Sequence, residues 1–198
     1  ERANEIDINE GVCRLMEVRF PPEGTLITPK FPAPTNMRMF TILRLLGILS
    51  ACIAKAVKGK MPADQETIRI WGLHGRDRNG ELFIFREVLG GGSGGREYAD
   101  GSDAIHIVPN SRNLPAEFSE IRYAVRVEKL ALCPDSGGPG KRRGGLGYLK
   151  EFTVLSDAGV FSLADRSKLA CWGVNGGKAG GNYRIVLNPE TRKERVLP

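Results

Sequence analysis

The longest apolar run in the chain lies between residues 37 and 58, where leucine and isoleucine recur at helical spacing. The run also contains Arg38, Arg44 and Lys55. A membrane-spanning helix needs about 20 nearly uncharged residues, so these charges argue against a span. The pattern therefore predicts one long amphipathic helix at 37–58, buried within a soluble protein that has no membrane partner.

Most of the other patterned segments alternate apolar and polar residues, as strands do. We predict strands at 12–20, 66–73, 81–88, 104–108, 121–133, 148–155, 160–164 and 183–187. The second and third of these should form a hairpin, because Asp77 to Gly80 is typical turn sequence. One long helix among many strands predicts an α+β fold that is mostly β, with mixed or antiparallel strands. A length of 198 residues fits a single domain over 1–198.

Glycine is the residue type whose usage departs most from the average. There are 25 glycines, against about 14 expected for a chain of this length. A glycine inside a helix or strand costs roughly 0.5–1 kcal/mol relative to alanine, so a surplus belongs where the backbone needs positive φ or a close approach. The glycines cluster at 90–95, 137–147 and 173–181. For the turn from Ser136 to Gly147 we predict positive φ at its glycines, with Arg143 reaching a carboxylate or a carbonyl.

The net charge and the cysteines bear on whether the protein binds nucleic acid or a metal ion and on where in the cell it works. The net charge of +6 allows anionic partners but is too small to establish nucleic-acid binding. The basic triplet 141–143 has no interleaved aromatic residues, so we predict a solvated turn and no nucleic-acid partner. The four cysteines form no CxxC pair and there are two histidines, so no metal site is predicted in this chain. Free thiols favour a cytoplasmic location.

A dense polar stretch after the first glycine cluster is the main candidate for chemistry. It contains Asp100, Asp103, His106, Asn110, Asn113, Glu117 and Glu120. Such density suits hydrogen-bonded networks or binding of a hard cation, and His106 beside an aspartate could serve acid–base catalysis. The same residues could equally form an internal network that only fixes a loop. Both interpretations stay open at this point.

We expect this stretch to form, with the preceding glycines, a wall near an active site or a subunit interface. Glycine lets a backbone approach a ligand or a partner more closely than any other residue. The candidate catalytic residues are His106 and Glu87. The candidate substrate-binding residues are Gly90, Gly91, Gly92, Asp100, Asn110, Asn113, Glu117, Glu120 and Arg143.

Several longer motifs follow one another along the chain. They are NEGVCRLMEVRFPPEGTLITPKFPAP at 9–34, FREVLGGGSGG at 85–95, DGSDAIHIVPNSRNLPAEFSEIRY at 100–123, DSGGPGKRRGGLGYLKEF at 135–152 and CWGVNGGKAGG at 171–181. In order and spacing they resemble the hydantoinase B/oxoprolinase family over nearly the whole chain. One departure is Ala124, where that family commonly has a proline.

The resemblance implies a function that composition and spacing do not show by themselves. It covers the C-terminal portion of a longer family chain, whose N-terminal half would hold a divalent metal on histidine and aspartate ligands. Family members work with a larger ATP-binding subunit of the hydantoinase A type. Together they hydrolyse cyclic amides such as hydantoins, oxoproline and lactams, or carboxylate ketones such as acetone and acetophenone.

Three functions therefore follow from the resemblance. The first is a component of an ATP-dependent cyclic-amide hydrolase that phosphorylates the carbonyl oxygen of a small-molecule substrate. It would use ATP with Mg²⁺ on the hydantoinase A-like subunit and the metal in the N-terminal half. The second is a subunit of an ATP-dependent ketone carboxylase. The third is a non-catalytic assembly module whose glycine loops pack against partner subunits.

Overall fold

The computed structural model describes residues 10–36, 38–65, 69–105 and 112–197. By its internal contacts the chain divides into two units, residues 1–41 and 42–198. The helices are α1 (Glu10–Cys13), α2 (Arg38–Ala56) and α3 (Ala116–Arg122). The strands are β1 (Arg69–Arg76), β2 (Leu82–Leu89), β3 (Val125–Leu132), β4 (Tyr148–Val154), β5 (Ala158–Leu163), β6 (Ile185–Leu187) and β7 (Arg195–Leu197). The predicted α+β class is confirmed.

In the first unit, the described residues before α2 form α1 and an irregular, proline-rich segment. Thr28 Oγ1 donates a hydrogen bond to the Pro22 carbonyl at 2.6 Å. The backbone N–H of Gly24, which has a φ of +91°, donates to the Thr28 carbonyl at 2.8 Å. The strand predicted at 12–20 is wrong, because irregular backbone follows α1. A strand is stabilised by a hydrogen-bonded neighbour, and no described strand pairs with this segment.

Helix α2 confirms the predicted long helix, but its predicted burial is wrong. Within it, Leu43 and Ala54 are the buried residues, and apolar side chains such as Ile48 and Leu49 are exposed. A polar contact anchors the helix, since Arg44 Nε lies 2.8 Å from Asp165 Oδ2. Part of the covered helix surface is therefore polar, and many apolar side chains of the helix stay exposed. Among the described residues, α2 is long and apolar enough to cross a membrane, a test that core helices of soluble proteins also pass.

The second unit is built on an antiparallel sheet with the strand order β2-β1-β5. The predicted hairpin is confirmed, with Leu73 opposite Phe85 in its register. Asp77 Oδ1 closes the turn by accepting the backbone N–H groups of Asn79 and Glu81, at 2.8 and 2.9 Å. Alternate residues of a strand point to opposite faces. Phe83, Phe85 and Glu87 therefore lie on the buried face of β2.

A second hairpin, β3–β4, covers that buried face. Leu73, Phe85 and Val125 are almost inaccessible and form the centre of the core. The Trp71 ring packs edge-on against Phe85 at 5.5 Å between centroids and lies 4.7 Å from the Phe152 ring. Aromatic pairs in this geometry add stability beyond the area that they bury.

Two elements in the second unit differ from the sequence prediction. The strand predicted at 121–133 begins only at Val125, because α3 occupies the residues before it. Glu120 Oε1 accepts the Val127 N–H at 2.9 Å and so ties α3 to β3. Strand β7 was not predicted, and it pairs with β6 in a separate ladder. Most of the strand predicted at 104–108 lies outside the described residues, although Ile105 forms an isolated bridge with Gly91.

Candidate functional site

The three glycine clusters meet in one place, which we call the glycine junction (residues 91–95, 101–105, 136–147 and 171–181). Backbone hydrogen bonds join its segments. The Gly145 N–H donates to the Ser93 carbonyl at 2.9 Å, and the Ser93 N–H donates to the Ser102 carbonyl at 2.9 Å. The Gly181 N–H donates to the Ser136 carbonyl at 2.8 Å. Segments that are distant in sequence thus pair through their main chains.

Close approach of backbones explains the glycines at this junction. A Cβ added to Gly92 would lie 1.8 Å from the Gly145 carbonyl oxygen, and one added to Gly145 would lie 2.0 Å from the Ser102 carbonyl oxygen. The predicted positive φ in the second cluster is wrong, because the described glycines with positive φ are Gly24, Gly59, Gly80 and Gly176. The space between backbones, rather than the turn conformation, excludes a side chain here.

A bidentate salt bridge, called here the Arg143–Asp103 fork, connects the second glycine cluster (137–147) to the polar stretch that begins at Asp100. Arg143 Nη1 and Nη2 donate to the two carboxylate oxygens of Asp103 at 2.8 and 3.2 Å. Asp103 also accepts the Leu146 N–H at 2.7 Å, and Asp100 accepts the Arg143 N–H at 3.1 Å. Hydrogen bonds from Arg143 and from the Leu146 backbone hold the pKa of Asp103 below its ordinary value. The prediction that Arg143 reaches a carboxylate is confirmed.

The junction forms one wall of a cavity of about 1160 Å³. Its other walls include Arg69 and Trp71 of β1, Lys150 of β4, and Tyr183. Among the residues that the structure describes, eight basic and four acidic ones line the cavity, so its field favours an anion. Backbone glycines, aromatic rings and basic side chains together make a concave surface suited to a small planar molecule.

A buried ion pair joins Glu87 of β2 to Lys150 of β4, and Lys150 lines the cavity. Lys150 Nζ donates to Glu87 Oε1 at 2.5 Å, and the two side chains are 5% and 2% exposed. The Lys150 ammonium also lies 5.0 Å from the centre of the Phe152 ring. Both charged residues occupy inward positions of their strands, two residues from Phe85 and Phe152 respectively. Charged residues at inward positions of this kind are rare unless they are paired.

A second buried pair lies at another part of the cavity. Arg166 Nη2 donates to Asp64 Oδ2, and Arg166 Nη1 donates to the Ala170 carbonyl at 3.0 Å. Burial raises the pKa of Asp64, although the positive charges of Arg166 and Arg44 oppose the rise. This pair joins residues 102 positions apart in the chain.

Three more residues give this region its electrostatic character. The Arg69 guanidinium lies 5.0 Å from the centre of the Tyr183 ring. Burial lowers the pKa of Arg69 to about 10 and raises the pKa of the Cys171 thiol. At neutral pH the guanidinium is therefore charged and the thiol protonated. Sequence reasoning missed Asp64, Arg69, Arg166 and Cys171 because no spacing links them.

The structure brings some of the predicted site residues together and separates others. Gly90, Gly91 and Gly92 line the cavity, whereas Glu87 is buried behind Lys150. Asp100 and Arg143 hold the junction together. The remaining described candidates do not line the cavity: Asn113, Glu117 and Glu120 lie on α3 or just before it. His106 and Asn110 lie outside the described residues.

Metal binding has no candidate in the described part of the chain. In residues 10–36, 38–65, 69–105 and 112–197, no group of three or more His, Cys, Asp or Glu side chains could hold a metal ion.

Comparison with known proteins identifies the class to which this fold and junction belong. The model of the hydantoinase B/oxoprolinase family matches residues 2–197. The chain therefore belongs to this family. The resemblance drawn from the motifs is confirmed.

Named relatives come from several organisms. The chain is 33% identical over 193 residues to a protein of Pseudomonas sp. (strain NS671) proposed to be the B-type component of a D-/L-hydantoinase, covering 96% of this chain and 32% of the relative. It is 28% identical over 192 residues to the beta chain of the caprolactamase of Pseudomonas jessenii, covering 92% and 32%. It is 26% identical over 187 residues to the 5-oxoprolinase of Dictyostelium discoideum, covering 93% and 14%. The chain thus spans a third or less of these relatives.

Proposed function

We propose that this chain is a component of an ATP-dependent cyclic-amide hydrolase. The observation that carries the proposal is the family match over residues 2–197. Relatives named for hydantoinase, oxoprolinase and caprolactamase activity all point to the hydrolysis of cyclic amides. Two of those relatives are named as one subunit of an enzyme, which supports a partner, and we propose a hydantoinase A-like protein that binds ATP with Mg²⁺.

The proposed chemistry explains why a basic cavity is useful. An amide carbonyl oxygen would accept the γ-phosphoryl group of ATP with loss of ADP. Water would then add at the carbonyl carbon, and the C–N bond would break to open the ring and leave an acyl phosphate. A second water would hydrolyse the acyl phosphate to a carboxylate and free phosphate. Every species after the first transfer carries negative charge. The eight basic residues around the cavity favour such species.

The chain's own contribution in this proposal is a rigid wall and a charged cavity. The glycine junction is held by main-chain hydrogen bonds and by the Arg143–Asp103 fork, so it can keep its shape against a ligand or a partner. The divalent metal that the family resemblance implies belongs to the N-terminal half of the family chain in this proposal. Because ATP is the co-substrate, we expect the enzyme to work in the cytoplasm.

The test is an activity assay on the complete polypeptide that contains this chain, purified with its ATP-binding partner. Phosphate release and ring opening are measured with hydantoin, 5-oxoproline and caprolactam, each with and without ATP. We expect ATP-dependent opening of one of these rings. Turnover only with a ketone plus bicarbonate would replace the proposal by a ketone carboxylase. A stable complex without any turnover would favour the assembly module.

A further inference from the structure

The Lys150–Glu87 pair is incompletely hydrogen-bonded, and its lysine lines the cavity. Glu87 Oε1 accepts from Lys150, but Oε2 is buried and has no hydrogen-bond partner among the described residues. A lysine ammonium has three N–H donors, and Glu87 takes one of them. An incompletely satisfied buried ion pair destabilises a fold relative to apolar packing. Its presence beside a cavity therefore points to a ligand.

Trp71 provides a second hydrogen-bond donor close to the Phe152 ring, which Lys150 also contacts. The indole Nε1 of Trp71 is buried, and it too has no hydrogen-bond partner in the part of the chain that the structure describes. The Trp71 ring is 4.7 Å and the Lys150 Nζ atom 5.0 Å from the centre of the Phe152 ring. In the β1–β2 register Trp71 is also directly opposite Glu87. The unpartnered indole N–H of Trp71 and the Lys150 ammonium, which has N–H groups beyond the one given to Glu87, thus lie near one aromatic ring.

The charge of the surroundings selects the kind of ligand. Both Trp71 and Lys150 line the cavity, where basic residues outnumber acidic ones by eight to four in the described part of the chain. An ammonium and an indole N–H are both donors, so they match an acceptor with several oxygens. Burial strengthens such contacts, because water competes with them less.

We propose that Lys150 and Trp71 form an oxyanion receptor that binds the carboxylate or phosphoryl oxygens of the molecule in the cavity, with Glu87 positioning the ammonium. The identity of that molecule rests on the proposed function, whereas the receptor itself does not. A carboxylate would come from an anionic cyclic amide such as 5-oxoproline. Phosphoryl oxygens would come from the group transferred by ATP.

Calorimetric titration of the complete polypeptide tests the receptor directly. The probes are inorganic phosphate, 5-oxoproline and the neutral lactam caprolactam. Lys150→Met should weaken binding of at least one anion by roughly tenfold or more, since a charge-assisted hydrogen bond is lost, and leave caprolactam unchanged. Trp71→Phe, which keeps the ring and removes the N–H, should weaken the same anion severalfold.

A further pair of variants separates binding from folding. Lys150→Met leaves the Glu87 carboxylate buried without a partner, so it can unfold the domain. The double variant Glu87→Gln/Lys150→Met removes that stranded charge, and we expect it to have a higher melting temperature than Lys150→Met while anion binding stays as weak as in Lys150→Met. Glu87→Gln alone keeps a side-chain oxygen that can accept from the ammonium and hold it in place, but it removes the competing negative charge, so it should bind the anion more tightly than the wild type.

Lys178 provides the matched control, because it is an exposed lysine that lines the same cavity. Equal losses in Lys178→Met and Lys150→Met would show general electrostatic attraction and overturn the receptor. Wild-type affinity in the double variant, or no anion binding by the wild type, would also overturn it. Loss for 5-oxoproline alone assigns the carboxylate source, and loss for phosphate alone the phosphoryl source. Binding without ATP-dependent turnover would refute the proposed function and leave the receptor standing.

Discussion

Replacement of Gly145 by alanine is the sharpest test of the close-approach explanation for the glycine junction. Gly145 is buried, and an added Cβ would lie 2.0 Å from the Ser102 carbonyl oxygen and 2.5 Å from its carbon. The obstructing atoms are backbone, so no side chain can rotate away. Accommodation requires the two segments to separate.

The expected cost follows from the contacts that such a separation breaks. The Ser102 carbonyl accepts the Ser93 N–H, and the Ser93 carbonyl accepts the Gly145 N–H, both at 2.9 Å. Overpacking costs typically 1–3 kcal/mol, and each lost hydrogen bond contributes about 0.5–1.5 kcal/mol more. We therefore expect Gly145→Ala to reduce the free energy of unfolding by about 3 kcal/mol or more.

The assay is denaturant unfolding of the complete polypeptide, with Gly147→Ala as the matched control. Gly147 lies in the same cluster, and a Cβ there would meet Ser136 Oγ at 3.8 Å, an ordinary contact. Gly145→Asn separates the two explanations, because asparagine tolerates positive φ but not a lack of space. If Gly145→Ala falls within about 0.5 kcal/mol of the control, or if asparagine restores stability, the close-approach argument is refuted.

Three further predictions concern the core and the titrating groups. Phe85→Ala should lower the free energy of unfolding by about 3–5 kcal/mol because Phe85 is 0% exposed. Leu82 is 76% exposed, so Leu82→Ala should change the free energy of unfolding by no more than about 0.5 kcal/mol. Equal denaturant midpoints for the two variants would contradict the core assignment. Because the pKa of Asp103 is lowered by its hydrogen bonds, its stabilisation is present above its unfolded pKa and is lost as pH falls through the folded value. The melting temperature of Asp103→Asn should therefore lie below the wild type at pH 7 and approach it in acid, and a constant gap would count against this. Burial raises the pKa of Cys171, so at pH 9 the Cys171 thiol of native protein should react with iodoacetamide more slowly than that of unfolded protein, as measured by mass spectrometry. The stability that this group contributes is lost as pH rises through the folded pKa. Equal reaction rates would contradict the raised pKa.

The spacing of apolar residues and the residue types of the turns were enough to predict the elements that have a strong local sequence signal. The long helix, the β1–β2 hairpin and β4 lie close to their predicted positions. Two of the errors occur where local pattern and tertiary context disagree. The segment 12–20 alternates like a strand but has no described neighbour to pair with, and α3 interrupts a run that also alternates. A strand depends on a partner that the local sequence does not specify.

The family and the presence of the glycine loops were determined by the sequence itself, because both depend on motifs that can be read in order. The pairing of those loops was decided only by the tertiary structure, and so was the reason for their glycines. Lys150 shows the same division. Its two-residue spacing from Phe152 is a local signal for an inward position. Its partner Glu87 lies 63 residues away in the chain, and only the packing of one hairpin on the other brings the two charges together.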